Sequence, residues 1–203
     1  RMTSGSSGTN PDDKPWFTHL NTSKCSMALN LKCASAKSVI EKLVRWADVI
    51  NANMVPGTLS RLGFGYDQVR AIKPDIIMAE GSAYGQTGPM AHEWGVDGTG
   101  AALSGYLDLT GWPDRGPVGP NAPYGDVVLP FFIATAIVAA LDYRRRTGKG
   151  QYIDASMLEV CVHQITPSLL DLEANRHLQT RNGNHVAYAA CLLYTSDAAD
   201  EED

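Results

Sequence analysis

The chain has 203 residues, of which 44% are hydrophobic and 19% are charged, and its formal net charge is −5. This length and composition are typical of a globular chain with room for one sizeable core. The negative balance argues against a nucleic-acid surface, which requires a strongly basic patch. The longest apolar segment is shorter than the roughly 18 residues that cross a bilayer, so we expect a buried core helix and no membrane association.

The four cysteines, Cys25, Cys33, Cys161 and Cys191, form no CxxC pair. This spacing favours reduced thiols in a cytoplasmic protein over disulfides, and it predicts no metal site. The two ends differ in composition from the centre. We expect residues 1–18 to be a polar flexible start and residues 184–203 to be a non-native or disordered tail, because residues 191–203 resemble translated cloning sequence. Residues 19–183 then form one domain.

In the first half of the chain, helical and strand patterns alternate. Residues 35–46 have apolar side chains at helical spacing, and Ala47 to Ile50 is a short apolar run typical of a buried strand. Two short helical pieces follow before Pro74, and Asp75 to Glu80 has the pattern of a second strand. Two neighbouring parallel strands need a crossover connection, usually a helix, between them. This order therefore predicts an α/β fold with a Rossmann-like parallel sheet and flanking helices.

After the second predicted strand comes the loop GSAYGQTGP, residues 81–89. Ligands bind at this edge of such sheets, but the loop lacks the GxGxxG spacing of a dinucleotide site. Further helices are predicted at residues 99–109, over the apolar segment from Val127 to Leu141, and from Leu158 to about Leu178. TGKG at residues 147–150 follows a helix and is not a phosphate-binding P-loop.

Asp126 stands directly before the apolar segment and invites two interpretations. Asp is a preferred N-cap residue, since its side chain accepts a hydrogen bond from a free amide of the first helical turn. A carboxylate at this position could also be catalytic. From the local residues alone, the capping role is favoured, with Gly125 turning the chain into the helix and Gly148 ending it.

Several separate motifs, in order, resemble the family III CoA-transferases. They are ADVINANMVPGTLSRLGFGYD, SAYGQTGP, GVDGTGAALSG and YGDVVLPFFIATAIVAALDYRRRTGKGQYIDASMLE. The resemblance extends from about His19 to about Gly183. It implies an incomplete large domain of this family, with a Rossmann-like parallel sheet, and a homodimer for the full-length parent protein.

The resemblance implies that Asp126 is the catalytic nucleophile. Its carboxylate would attack the thioester of an acyl-CoA, and the released thiolate would return to form an aspartyl-CoA thioester. A carboxylic acid acceptor would then take the CoA. The implied partners are an acyl-CoA and a carboxylic acid, with coenzyme A thioester as substrate and with no bound cofactor or metal.

The resemblance also implies which residues form a CoA-binding site and an acyl site. Arg61 matches an arginine that contacts a CoA phosphate, and Asp97 matches an acidic position near the acyl group. The remaining CoA-binding positions are Leu29, Lys32, Asn53, Met54 and Val55. From the residues alone, Arg61 and Lys32 would be assigned to the solvated surface and Asp97 to a turn.

Two alternatives remain beside CoA transfer. An acyl-CoA racemase on the same fold needs a second acid/base group, and the family's racemases have a histidine directly before the aspartate that Asp97 matches. Val96 occupies that position here, which disfavours racemisation. The other alternative is a catalytically incomplete fragment, since the family's opening strand, small domain and glycine-rich lid have no counterpart in the sequence.

Overall fold

The computed structural model describes residues 14–31, 33–119, 122–183 and 185. Its contacts group the chain into two compact units, residues 1–38 and 39–203. In the first unit, helix α1 (Pro15–Leu20) starts with a proline whose fixed φ suits the first helical turn. The last part of the expected polar start, residues 15–18, therefore belongs to a helix. The expected tail, apart from His185, lies outside the described residues.

Three parallel strands form the sheet of the second unit. They are β1 (Val49–Ala52), β2 (Ile77–Ser82) and β3 (Tyr152–Ser156), with β2 in the centre. Ile50 pairs with Met78, and Ser82 pairs with Ser156. This confirms the predicted parallel pairing of the first two strands, each shifted by about two residues towards its carboxyl end. Strand β3 has no predicted counterpart, because the short YIDAS pattern leads directly into a helix.

Helices cover both faces of the sheet, since successive β2 side chains point in opposite directions. On one face, the part of α2 (Ala34–Trp46) that starts at Val39 packs around Met78, together with α3 (Thr58–Arg61) and α4 (Tyr66–Ile72). The division between the two units falls within α2. On the other face, α6 (Tyr124–Thr147) and α7 (Met157–Gln164) pack around Ala79. Both layers have their own apolar core, as a Rossmann-like sheet requires.

Helix α6 is the longest element and is apolar on both of its sides. Leu129, Ile133 and Ala140 are buried, whereas Phe131 is 70% exposed and Val138 is 66% exposed. The expected core helix is therefore buried on one face and exposed on the other. By length and composition α6 could cross a membrane, but one of its faces packs on the sheet, as in the core helix of an α/β domain.

Two predicted helices are interrupted. The predicted helix at 99–109 is α5 (Asp97–Leu103) followed by a 3₁₀ helix (Tyr106–Leu109), with Gly105 between them at a φ of 83°. The last predicted helix is α7 followed by α8 (Thr166–Asn175). Pro167 explains the second break, because proline has no N–H for the hydrogen bond that a continuous helix would make there.

Candidate functional site

The carboxyl ends of the three strands gather the connections that carry the predicted site. Residues 53–55 follow β1, the glycine-rich loop follows β2, and α7 begins directly after β3. The loop after β2 is tied to both neighbours. The backbone N–H of Gly57 donates to Gln86 Oε1 at 3.1 Å, and the backbone N–H of Leu158 donates to the carbonyl of Ala83 at 3.0 Å.

Helix α6 runs antiparallel to the strands, so its first turn lies at this same edge. Near its far end, Arg144 donates to Asp48 Oδ1 at 2.9 Å and lies 3.9 Å from Asp75 Oδ2. Asp48 and Asp75 precede β1 and β2, at the amino ends of the strands. At the other edge, a Cβ on Gly81 would lie 3.3 Å from Leu129. Asp126 is therefore about one helical turn beyond the carboxyl end of β2.

Asp126 is the third residue of α6, not its N-cap. The helix starts at Tyr124 after Pro123, which supplies no side-chain cap. The exposed carboxylate of Asp126 makes no hydrogen bond or ion pair with another described residue. The capping interpretation was thus wrong for this side chain, because the helix begins at Tyr124, three residues before the apolar segment that starts at Val127. Within the described part of the chain, both carboxylate oxygens of Asp126 are free.

Asp97 is the first residue of α5 and lies against the start of α6. Its Oδ1 accepts a hydrogen bond from the backbone N–H of Asp126 at 2.9 Å. Loss of hydration next to the protein raises the pKa of Asp126, and the negative charge of Asp97 raises that pKa further. The structure therefore brings together two of the residues that the sequence proposed, and it couples them electrostatically.

Gly125 is buried where α5, α6 and α7 meet. A Cβ at this position would collide with Met157 Cγ and would lie 2.7 Å from Met157 Sδ and 2.9 Å from Asp97 Oδ1. The missing side chain leaves room for Met157 and Asp97, because the helices approach each other too closely here for any side chain.

Polar and aromatic side chains also lie near the starts of α5 and α6. The rings of Tyr106 and Tyr124 stack with centroids 4.5 Å apart. Tyr84 donates to Thr99 Oγ1 at 3.0 Å, and the same oxygen accepts from the backbone N–H of Val96 at 2.9 Å. Thr99 thereby fixes the start of α5 immediately before Asp97. A threonine three residues into a helix was the available signal, as it can bond back to the residue before the helix.

The CoA-binding candidates lie apart from Asp97 and Asp126 in the chain. Arg61 ends α3, and its guanidinium donates to Thr58 Oγ1 at 2.8 Å and to the carbonyl of Pro56 at 3.3 Å. No carboxylate among the described residues pairs with it, so it remains available to an anion. The exposed positions that follow β1 are Asn53, Met54 and Val55. Their roles stay predictions.

Two CoA-binding candidates belong with the first unit of the chain. Leu29 is half-buried in a segment of that unit without regular secondary structure. Lys32 lies outside the described residues. Glu159 and His163 of α7 are exposed, and the centroid of the His163 ring lies 5.3 Å from that of Phe132. Within the described ranges, no three His, Cys, Asp or Glu side chains are grouped to hold a metal ion.

In open α/β sheets, ligands bind at the carboxyl edge of the strands, which is where the first turn of α6 and the unpartnered carboxylate of Asp126 lie. The sequence model of "CoA-transferase family III" matches residues 1–200. The chain belongs to this family.

Curated relatives and solved structures agree with this assignment. The chain is 36% identical over 182 residues to succinyl-CoA:glutarate CoA-transferase of Mus musculus, covering 88% of the chain and 42% of that protein. It is 37% identical over 181 residues to acetyl-CoA:oxalate CoA-transferase of Acetobacter aceti, covering 88% and 46%. A crystal structure of a CAIB/BAIF family protein from Brucella suis superposes with a TM-score of 0.77 at 30% identity, covering 82% and 44%. The chain thus spans less than half the length of these relatives.

Proposed function

We propose that the protein containing this chain transfers coenzyme A from an acyl-CoA to a carboxylic acid, with Asp126 as the covalent nucleophile. The observation that carries the proposal is the Asp126 carboxylate itself. It lies at the carboxyl edge of the sheet, both of its oxygens lack partners among the described residues, and the first turn of α6 favours negative charge there. A raised pKa makes the ionised carboxylate more basic, which suits a nucleophile.

The proposed reaction proceeds through two covalent states of Asp126. The carboxylate attacks the thioester carbonyl, the C–S bond breaks, and a mixed anhydride and a CoA thiolate form. The thiolate attacks the Asp126 acyl carbon, which releases the first carboxylate and leaves an aspartyl-CoA thioester. The acceptor carboxylate then attacks this thioester to give a second anhydride. The thiolate takes the acceptor acyl group and restores Asp126.

The remaining expectations extend this proposal. Arg61 contacts a CoA phosphate with its guanidinium, a group that matches phosphate oxygens in geometry and charge. Val96, directly before Asp97, has no ionisable side chain, which supports transfer over racemisation. The relatives' names suggest the compounds to test first: succinyl-CoA and acetyl-CoA as donors, and glutarate and oxalate as acceptors. A cytoplasmic homodimer is also proposed.

The test uses a protein that carries this chain at the full length of its relatives. Asp126→Asn keeps the size of the side chain but cannot form an anhydride, so turnover should fall by at least about a thousandfold, to the level that binding alone supports. Incubation with acyl-CoA and hydroxylamine should convert Asp126 to a hydroxamate, detected by peptide mass spectrometry. The Asn variant should remain unlabelled.

Asp142→Asn is the matched control, since Asp142 is an aspartate near the far end of α6, paired with Arg145 and Arg146. It should retain turnover and hydroxamate labelling at Asp126. Full transferase activity in Asp126→Asn would exclude the covalent mechanism.

A further inference from the structure

The first turn of α6 lacks a cap from its own sequence. An α-helix leaves its first N–H groups without intrahelical acceptors, and a Ser, Thr, Asp or Asn before the helix normally accepts from one of them. Pro123 occupies that position and has no side-chain acceptor. The backbone N–H of Val127 reaches the Pro123 carbonyl at 3.0 Å, so the N–H groups of residues 124–126 need other partners.

One of these N–H groups is satisfied from a different helix. Asp97 Oδ1 accepts the N–H of Asp126 at 2.9 Å, although the two residues are 29 positions apart in sequence. The approach is possible because Gly125 has no side chain and lets Met157 and Asp97 come close to the α6 backbone. Gly100 of α5 likewise lies against Met157, with its would-be Cβ 3.5 Å from the sulfur. Asp97 is therefore held in a packed junction.

We propose that Asp97 is a positioning residue that caps the first turn of α6, holding the backbone of Asp126 so that both side-chain oxygens of Asp126 stay free for chemistry. This inference rests on the proposed role of Asp126. It differs from an acid/base role for Asp97, since one Asp97 oxygen is committed to a backbone N–H. The hydrogen bond from Asp97 also explains why the side chain of Asp126, although it lies in the first helical turn, does not cap the helix.

The same contact places a negative charge beside the nucleophile. Removing that charge should lower the pKa of Asp126, because Asp97 is the electrostatic cause of its elevation after loss of hydration. Asp97 carries the charge in this junction. Other titratable side chains on the elements packed around it include Cys161, Tyr106 and Tyr124. Tyr84 is hydrogen-bonded to Thr99 of α5, Asp108 of the 3₁₀ helix pairs with Arg181, and Glu159 and His163 lie on α7 beside Phe132.

Two substitutions separate the hydrogen bond from the charge. Asp97→Asn removes the charge but keeps a carbonyl oxygen that can accept from the N–H of Asp126. Asp97→Ala removes both. Amide exchange at Asp126 should stay near the wild-type rate in Asp97→Asn and rise by about tenfold or more in Asp97→Ala, as expected for the loss of a charge-assisted hydrogen bond. The Asp126 pKa, measured by carboxyl ¹³C NMR titration of the chain, should fall in both variants.

The matched control is Asp67→Asn, an acid in the first turn of α4. It should change neither the Asp126 exchange rate nor the Asp126 pKa. In a protein of the relatives' full length, turnover should fall by about tenfold or more in Asp97→Ala and by less in Asp97→Asn, and the acid limb of the pH–rate profile of Asp97→Asn should move to lower pH.

The inference is overturned if Asp97→Asn and Asp97→Ala give the same amide exchange at Asp126, or if the Asp126 pKa stays unchanged in both. It is also overturned if Asp97→Asn abolishes turnover as completely as Asp126→Asn, since Asp97 would then act as an acid or base. Failure of hydroxamate labelling in the wild type would instead reject the nucleophile role of Asp126 and leave the exchange and pKa results standing.

Discussion

Replacing Gly125 with alanine tests the junction of α5, α6 and α7 directly. The added methyl group would overlap Met157 Cγ and lie 2.9 Å from Asp97 Oδ1. Cγ is close to the Met157 backbone, so the side chain cannot relieve the overlap by moving only its end. Overpacking costs about 1–3 kcal/mol, against a gain of up to about 1 kcal/mol from the better helix propensity of alanine. We expect a net loss of about 1–2 kcal/mol.

Urea unfolding of the chain, followed by circular dichroism, measures this loss. With a slope of about 2 kcal/mol per molar urea, the middle of the usual range, the midpoint should fall by about 0.5–1 M. Gly98→Ala is the matched control, because Gly98 also lies in a first helical turn and a Cβ there would meet nothing within 4 Å. That variant should be equally stable or gain about 0.4–1 kcal/mol.

A second variant assigns the loss to Met157. Met157→Ala opens a cavity and destabilises on its own, but it also removes the atoms that the methyl group added by Gly125→Ala would strike. The variant carrying both substitutions should therefore be more stable than the sum of the two single effects predicts, by at least about 0.5 kcal/mol. An unchanged or raised midpoint for Gly125→Ala would refute the close approach of α6 to Met157 and Asp97.

Two further predictions concern charge. Because the pKa of Asp126 is raised above its ordinary value of 3.8, the folded protein binds this proton more tightly than the unfolded chain, and the group costs stability as pH rises through the raised pKa. Asp126→Asn should thus be more stable than the wild type at neutral pH. The difference between the two urea midpoints should shrink as pH falls below the raised pKa. A difference that stays constant with pH would contradict the raised pKa of Asp126. Arg144→Met should lower the free energy of unfolding by about 1–3 kcal/mol, because it leaves the carbonyl and carboxylate of Asp48 without this donor. The side chain of Arg145 is 83% exposed, so Arg145→Met should change thermal unfolding little. Equal effects of the two arginine substitutions would show that Arg144 does not tie α6 to the sheet.

The local sequence pattern was sufficient to predict most of the fold. Apolar runs of strand length between helical segments predicted β1, β2 and their parallel pairing, and the motifs around Asp126 indicated the family. Strand β3 was missed because a parallel edge strand of five residues has little pattern of its own. Its pairing with β2 is decided by a partner strand far away in sequence, as in Tyr152 opposite Met78.

The sequence by itself determined that a carboxylate stands near the start of a long apolar helix, because residue type and helical period are local properties. It did not determine which carboxylate caps that helix. Asp126 has the residue type of a cap, yet Asp97 makes the hydrogen bond, and the absence of a side chain at Gly125 is needed for the close packing of Met157 and Asp97. Only the tertiary structure decides such questions, because they depend on how closely α5, α6 and α7 pack, and that distance is set by side chains far apart in the chain.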